Sequence, residues 1–108
     1  MYNDQVKITS KNFKRYHKIM EDNMISEVEK KLTKLAFILV NKRIEKNLTQ
    51  NEVVERSRLS KSVVSKMESF ISIPTSITLV KYADAVDMEL TFVEKSPFEK
   101  DAKFKTKP

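Results

Sequence analysis

The chain contains no glycine and no cysteine. Without glycine, each backbone position that must turn left-handed falls to a residue with a Cβ, at roughly 1–2 kcal/mol for an ordinary side chain. Asn and Asp tolerate that conformation best, and Asn47 and Asp87 stand where helical patterns stop. The same absence excludes glycine-rich phosphate loops. Without cysteine there is neither a disulfide framework nor a thiolate metal site. The one histidine, His17, has no partner pattern for a metal site or a general base and reads as a surface or packing residue. No grouping of nucleophile, base and orienting residue can be assembled, so neither an enzyme nor a cofactor is expected. Long apolar runs are missing too. The longest, Ala36–Val40, is too short to span a bilayer, and the N-terminus has no apolar signal-peptide core. A cytoplasmic protein without a membrane partner is the expectation.

What is present fits one small domain. The 108 residues are 40% hydrophobic and 33% charged, enough for one modest core. The net charge of +6 suits an acidic polymer such as nucleic acid, although a basic surplus also serves solubility.

Thr49–Glu68, TQNEVVERSRLSKSVVSKME, carries two short helical patterns around a tight turn. Thr49 can cap the first, with Glu52 reaching back. Ser60 can cap the second, whose Val63, Val64 and Met67 form an apolar stripe. The opposite face holds Lys61, Ser62, Ser65 and Lys66, with no carboxylate before Glu68. Helices this short need neighbours. Upstream, Asn23–Lys46 is the longest periodic segment: Ile25, Val28, Leu32, Leu35, Ala36 and Leu39 follow helical spacing, and Phe37, Ile38, Val40 and Ile44 widen the stripe. A weaker pattern of Phe13, Tyr16 and Met20 starts at Ser10, among Lys11, Lys14, Arg15 and Lys18. Before it, Val6 and Ile8 belong to a short extended piece or, more simply, a mobile end.

Downstream, Pro74 breaks the chain. Thr75, Ser76 or Thr78 can cap a further helix with Ile77, Leu79, Val80, Tyr82, Ala83 and Val86 on its apolar face. Leu90, Thr91, Phe92 and Val93 alternate as one short strand. A lone strand needs a ladder partner, expected here from a second copy, which makes a homodimer. The charged, proline-containing stretch 96–108 reads as a disordered tail. The expected fold is mainly α, with four to five helices and one short C-terminal β-strand. Residues 1–24 form a partly helical extension, 25–87 the domain, 88–95 the dimer strand and 96–108 the tail.

Leu48-Thr49-Gln50, Glu52-Val53, Ser57, Leu59-Ser60, Ser62, Val64-Ser65-Lys66 and Met67-Glu68 resemble the helix-turn-helix of the Cro/C1-type (XRE) DNA-binding domains. Pro74, Thr78-Leu79, Lys81-Tyr82-Ala83 and Ala85 carry the likeness into the following helix, so that it covers about Lys34 to Val86. The resemblance implies that Ser60–Lys66 enters the major groove of double-stranded operator DNA. Lys61, Ser62 and Lys66 would read bases, with Ser65 a fourth: lysine donates to guanine O6 and N7, and serine reads either donors or acceptors. Gln50 would contact a phosphate or brace the reading helix, and backbone N–H groups at its helix start favour phosphate. Thr49, Lys42 and Arg58 are phosphate candidates, or else ordinary solvated charges and caps. Arg43 and Glu68 stand where this family often pairs an arginine with a glutamate beneath the motif, a fork that fits a carboxylate in two places.

Three residues depart from the pattern: Arg58 replaces the usual glycine of the turn, Val54 the usual alanine and Phe70 another glycine. A looser, architectural likeness is to the HigA-type antitoxins, which repress their own operon and neutralise a ribosome-dependent mRNA-cleaving toxin. On that likeness the basic segment 10–35 is a toxin-binding surface; otherwise it covers the core or joins the dimer. A phage or mobile-element repressor, and an interaction module that kept the fold without binding DNA, are the competing readings.

Overall fold

The computed structural model describes residues 8–96. Among them lie helices α1 (Ser10–Glu21), α2 (Glu27–Glu45), α3 (Gln50–Ser57), α4 (Lys61–Glu68) and α5 (Ser76–Ala85). Each opens behind a Ser or Thr whose hydroxyl accepts an otherwise orphaned backbone N–H. Thr9 accepts from Asn12, Ser26 from Glu29, Thr49 from Glu52, Ser60 from Val63 and Thr75 from Thr78. Such a cap stabilises a helix by about 1 kcal/mol. At Ser26 and Thr49 the glutamate three residues on reaches back to complete a capping box. The Ser26 box explains why α2 begins at Glu27 rather than Asn23. Of the three residues able to cap α5, Thr75 does so.

With no glycine available, four of the described residues take positive φ: Asn47 (60°), Arg58 (64°), Phe70 (58°) and Asp87 (61°). Asn47 and Asp87 end α2 and α5 as the sequence suggested. Arg58 ends α3, its N–H donating to the Val54 carbonyl at 3.0 Å, and the buried Ser57 hydroxyl accepts from the Leu59 N–H at 3.0 Å. The turn therefore keeps its left-handed geometry despite the Cβ. Phe70 has a compensation that Arg58 lacks, because its ring is buried in the core.

That core draws Ala36, Leu39 and Val40 from α2, Val53 from α3, Val64 and Met67 from α4, and Leu79, Tyr82, Ala83 and Ala85 from α5. Helix α3 packs on α4 and α5, and α2 on α4 and α5. Helix α1 packs on α2 through rings. Tyr16 stacks on Phe37 with centroids 4.2 Å apart, Phe70 lies 5.4 Å from Tyr16, and Phe13 lies 6.0 Å from Phe37. Burial pushes the Tyr16 hydroxyl above its ordinary pKa. Arg15 adds a polar tie, its Nη1 donating to the Ser69 carbonyl at 2.6 Å. Ile8, 5% exposed, belongs to the core, so the chain is not a free end from that residue onward; Val6 lies outside the described residues.

Several expectations need correction. Val28 and Ile38 of α2, Val63 of α4, and Ile77 and Val80 of α5 are exposed. The helical period holds, but each helix meets its neighbours along one side only, so the buried stripe is narrower than the apolar pattern. The expected strand at Leu90–Val93 is absent: residues 88–96 have no regular structure. A strand is held by ladder hydrogen bonds, and no strand exists among the described residues to supply them. Phe92 is accordingly fully exposed, at 102%. Beyond Ser96, the expected disordered tail lies outside the described residues. No described helix is long and apolar enough to cross a membrane.

Arg58 stores removable strain. Arg58→Gly relieves the Cβ clash but gives the unfolded chain more freedom, leaving a net gain of roughly 0.5–1 kcal/mol. The urea midpoint should rise with its slope unchanged, and a lowered midpoint would contradict the turn described.

Candidate nucleic-acid interface

The site is built from its hidden side outward. Glu68, on the last turn of α4, is only 5% exposed. A carboxylate taken out of water is costly unless its oxygens are satisfied, and four donors satisfy this one. Arg43 of α2 gives two, Nε to Oε2 at 2.8 Å and Nη2 to Oε1 at 2.7 Å. Gln50 Nε2, at the start of α3, reaches Oε1 at 3.0 Å. The Tyr82 hydroxyl of α5 reaches Oε2 at 2.5 Å. Arg43 also donates through Nη1 to the Leu48 carbonyl at 2.7 Å, tying down the α2–α3 connection. Burial works against the Arg43 charge, but the hydrogen bond and the charge of Glu68 outweigh it and raise the guanidinium pKa. Burial first, and then the Glu68 charge, push the Tyr82 hydroxyl far upward, so it remains a donor throughout the ordinary pH range.

Fixing Glu68 inward fixes the rest of α4. Val64 and Met67 share its buried side, and helical spacing turns Lys61, Ser62, Ser65 and Lys66 outward; all four are exposed. Lys61 Nζ donates to Asn51 Oδ1 at 3.0 Å, which steadies a long side chain at the mouth of the turn. Ser60 is occupied as the α4 cap. The outward face thus offers two ammonium groups and two hydroxyls and no carboxylate. Such a face can donate to phosphate oxygens and to purine acceptors in a major groove.

The other candidates divide by what already engages them. Gln50 gives its amide nitrogen to Glu68, a bond that ties the start of α3 to α4. Thr49 caps α3, and its backbone N–H donates to Glu52 Oε1 at 2.8 Å. That bond, followed by the Thr49 hydroxyl, holds the exposed Glu52 carboxyl below its ordinary range. Lys42 Nζ is 2.7 Å from Glu45 Oε1, a partner that a phosphate would have to displace. Arg58 is exposed at the turn. Residues Leu90–Val93 stand exposed beyond α5.

Some bonds are not foreseen from the sequence. There Tyr82 reads only as an apolar position; the signal is its hydroxyl, which needs a partner once buried. Arg56 Nη1 donates to the Ala85 carbonyl at 3.1 Å and Lys46 Nζ to the Val86 carbonyl at 2.8 Å, so both fasten the end of α5. Long-range bonds from a side chain to a carbonyl leave no mark in residue spacing.

With this geometry in place, comparison with known families finds one description that fits. The helix-turn-helix family matches residues 39–93, from the later turns of α2 through α5 and into the segment beyond. No curated protein and no solved structure matches the chain.

Proposed function

We propose, from the premise that this chain belongs to the helix-turn-helix family of DNA-binding regulators, that it is a homodimeric repressor that reads a specific operator. The outward face of α4 carries the reading: Lys61, Ser62, Ser65 and Lys66 lie together, exposed, without an intervening carboxylate. Each copy would lay that face in a major groove, with half-sites about one helical turn apart. Lys61 and Lys66 would donate to guanine O6 and N7, and the serines to neighbouring bases. At the α3 start the Gln50 backbone N–H and the Thr49 hydroxyl, with the cations Lys42 and Arg58, would meet phosphates. Leu90, Phe92 and Val93, apolar and exposed, are offered as the contact between copies, as loose apolar cover rather than a β-ladder.

A titration on duplex DNA from the protein's own promoter, beside a scrambled duplex of equal length, tests this reading. Two chains should bind per promoter duplex, and Lys61→Ala with Lys66→Ala should weaken specific binding by about tenfold or more, at roughly 1–3 kcal/mol per well-placed base contact. Equal affinity for both duplexes, or no loss in the double variant, would reject it.

A second reading, as the antitoxin of a type II pair that also neutralises an mRNA-cleaving toxin, is supported by apolar surface that is not part of the outward face of α4. Met24, Val28 and Ile71 are exposed, and Ile19, Ile25, Phe70, Ile71 and Ile73 line a groove of about 360 Å³ together with Arg15, Lys18 and Asp22. Patches of this kind suit a protein partner. Co-expression with a small open reading frame next to the gene should rescue growth, and Ile71→Glu should abolish the rescue. Absence of rescue by the unaltered chain would rule the antitoxin reading out.

A further inference from the structure

Helix α1 lies outside the family match at residues 39–93, yet it is fastened to the reading helix. Arg15 Nη1 holds the Ser69 carbonyl at the end of α4, 2.6 Å away. At the start of α1, Thr9 and Asn12 line a cavity of about 210 Å³ together with Gln50 and Ser65. The first turn of α1 therefore stands beside the groove face of α4 and the start of α3, and its middle stands beside the last turn of α4.

The charge on this helix is mostly of one sign. Lys11, Lys14, Arg15 and Lys18 face a single acid, Glu21, at its far end. Lys11 lies one turn before Arg15 and Lys18 one turn after it, on the same side of the helix, and Lys14 occupies the next row outward. All three lysines are exposed, and none is among the ion pairs of the described residues. A helix that served only to cover the core would need its Phe13 and Tyr16 side. Its outer face would carry mixed charges as readily as a row of cations that includes the Arg15 tie to the end of α4.

We infer that α1 is a second DNA-contacting element, in which Lys11, Lys14 and Lys18 neutralise backbone phosphates flanking the groove that α4 enters. This rests on the reading of α4 as the groove helix and extends the footprint beyond the helix-turn-helix itself. The lysines sit off the reading helix, so they add affinity and salt dependence without reading sequence. The aromatic packing and the Arg15 tie hold them in register with the base readers.

The experiment is a salt series on the full chain with promoter duplex and a scrambled duplex of equal length. It compares Lys11→Gln/Lys18→Gln with Lys31→Gln/Lys34→Gln, a pair of exposed lysines on α2 that removes the same charge. In the α1 variant the slope of log K against log salt should fall by about 0.9 for each phosphate that is no longer neutralised, and in the α2 variant by less. The preference for promoter over scrambled duplex should stay constant. An unchanged slope would overturn the inference. So would equal slopes in the two variants, which mean only net charge matters, or tighter binding, which means α1 shields the face. If the unaltered chain shows no preference between the duplexes, the α4 reading itself fails, an outcome distinct from a failure of α1 alone.

Discussion

One buried carboxylate sets the geometry on which the rest depends. Apolar burial drives these helices together, but it is non-directional and would tolerate some rotation of so short a helix as α4. The Glu68 carboxylate removes that tolerance. It is satisfied only when Arg43, Gln50 and Tyr82 converge on it from α2, α3 and α5. A rotation of α4 would strand a charge in a dry site, at a cost of several kcal/mol. The contribution is one of specificity more than net stability, since two well-packed apolar side chains could hold the same space. With α4 locked inward at Glu68, Lys61, Ser62, Ser65 and Lys66 have one direction left to face.

The absence of glycine imposes a second constraint. Helices α2, α3 and α5 and the exit from α4 all turn through left-handed residues that carry a Cβ. At Asn47 and Asp87 the strain is small. At Phe70 it is offset by burying the ring against Tyr16 and Phe37, which also recruits α1. Phe70, where the resembled domains usually carry glycine, thus helps to hold α1 in place. At Arg58, exposed at the turn, no such burial offsets the strain. The larger Val54, in place of alanine, is half-buried against the core.

The starts of α3 and α4 are legible because capping is local: Thr49 with Glu52, and Ser60 ahead of Val63, can be read from spacing alone; the start of α2 at Ser26 is not. The outward face of α4 was legible for the same reason, through helical period and charge. What spacing could not show was contact at long range. The docking of α1 depends on Phe70 and on the Ser69 carbonyl, more than fifty residues away in sequence (|i−j| = 54 for the Arg15 bond). The bond from Gln50 to Glu68 likewise joins residues of two different helices. Val28, Val63 and Ile77 obey the period yet remain exposed, because apolar identity does not reveal which side of a helix has a neighbour. The strand at Leu90–Val93 failed differently: alternation marks a segment able to pair, and pairing needs a second segment.

The central claim, that the Arg43–Glu68 pair is a coupled lock on the reading helix, is tested most directly by a double-mutant cycle in denaturant unfolding. Arg43→Met and Glu68→Met should each cost about 3–5 kcal/mol, since each leaves a buried charge unpaired. Together they should cost clearly less than the sum, because neither charge remains. Costs that add to within about 0.5 kcal/mol would mean that the two residues are energetically independent, and that something other than this pair orients α4.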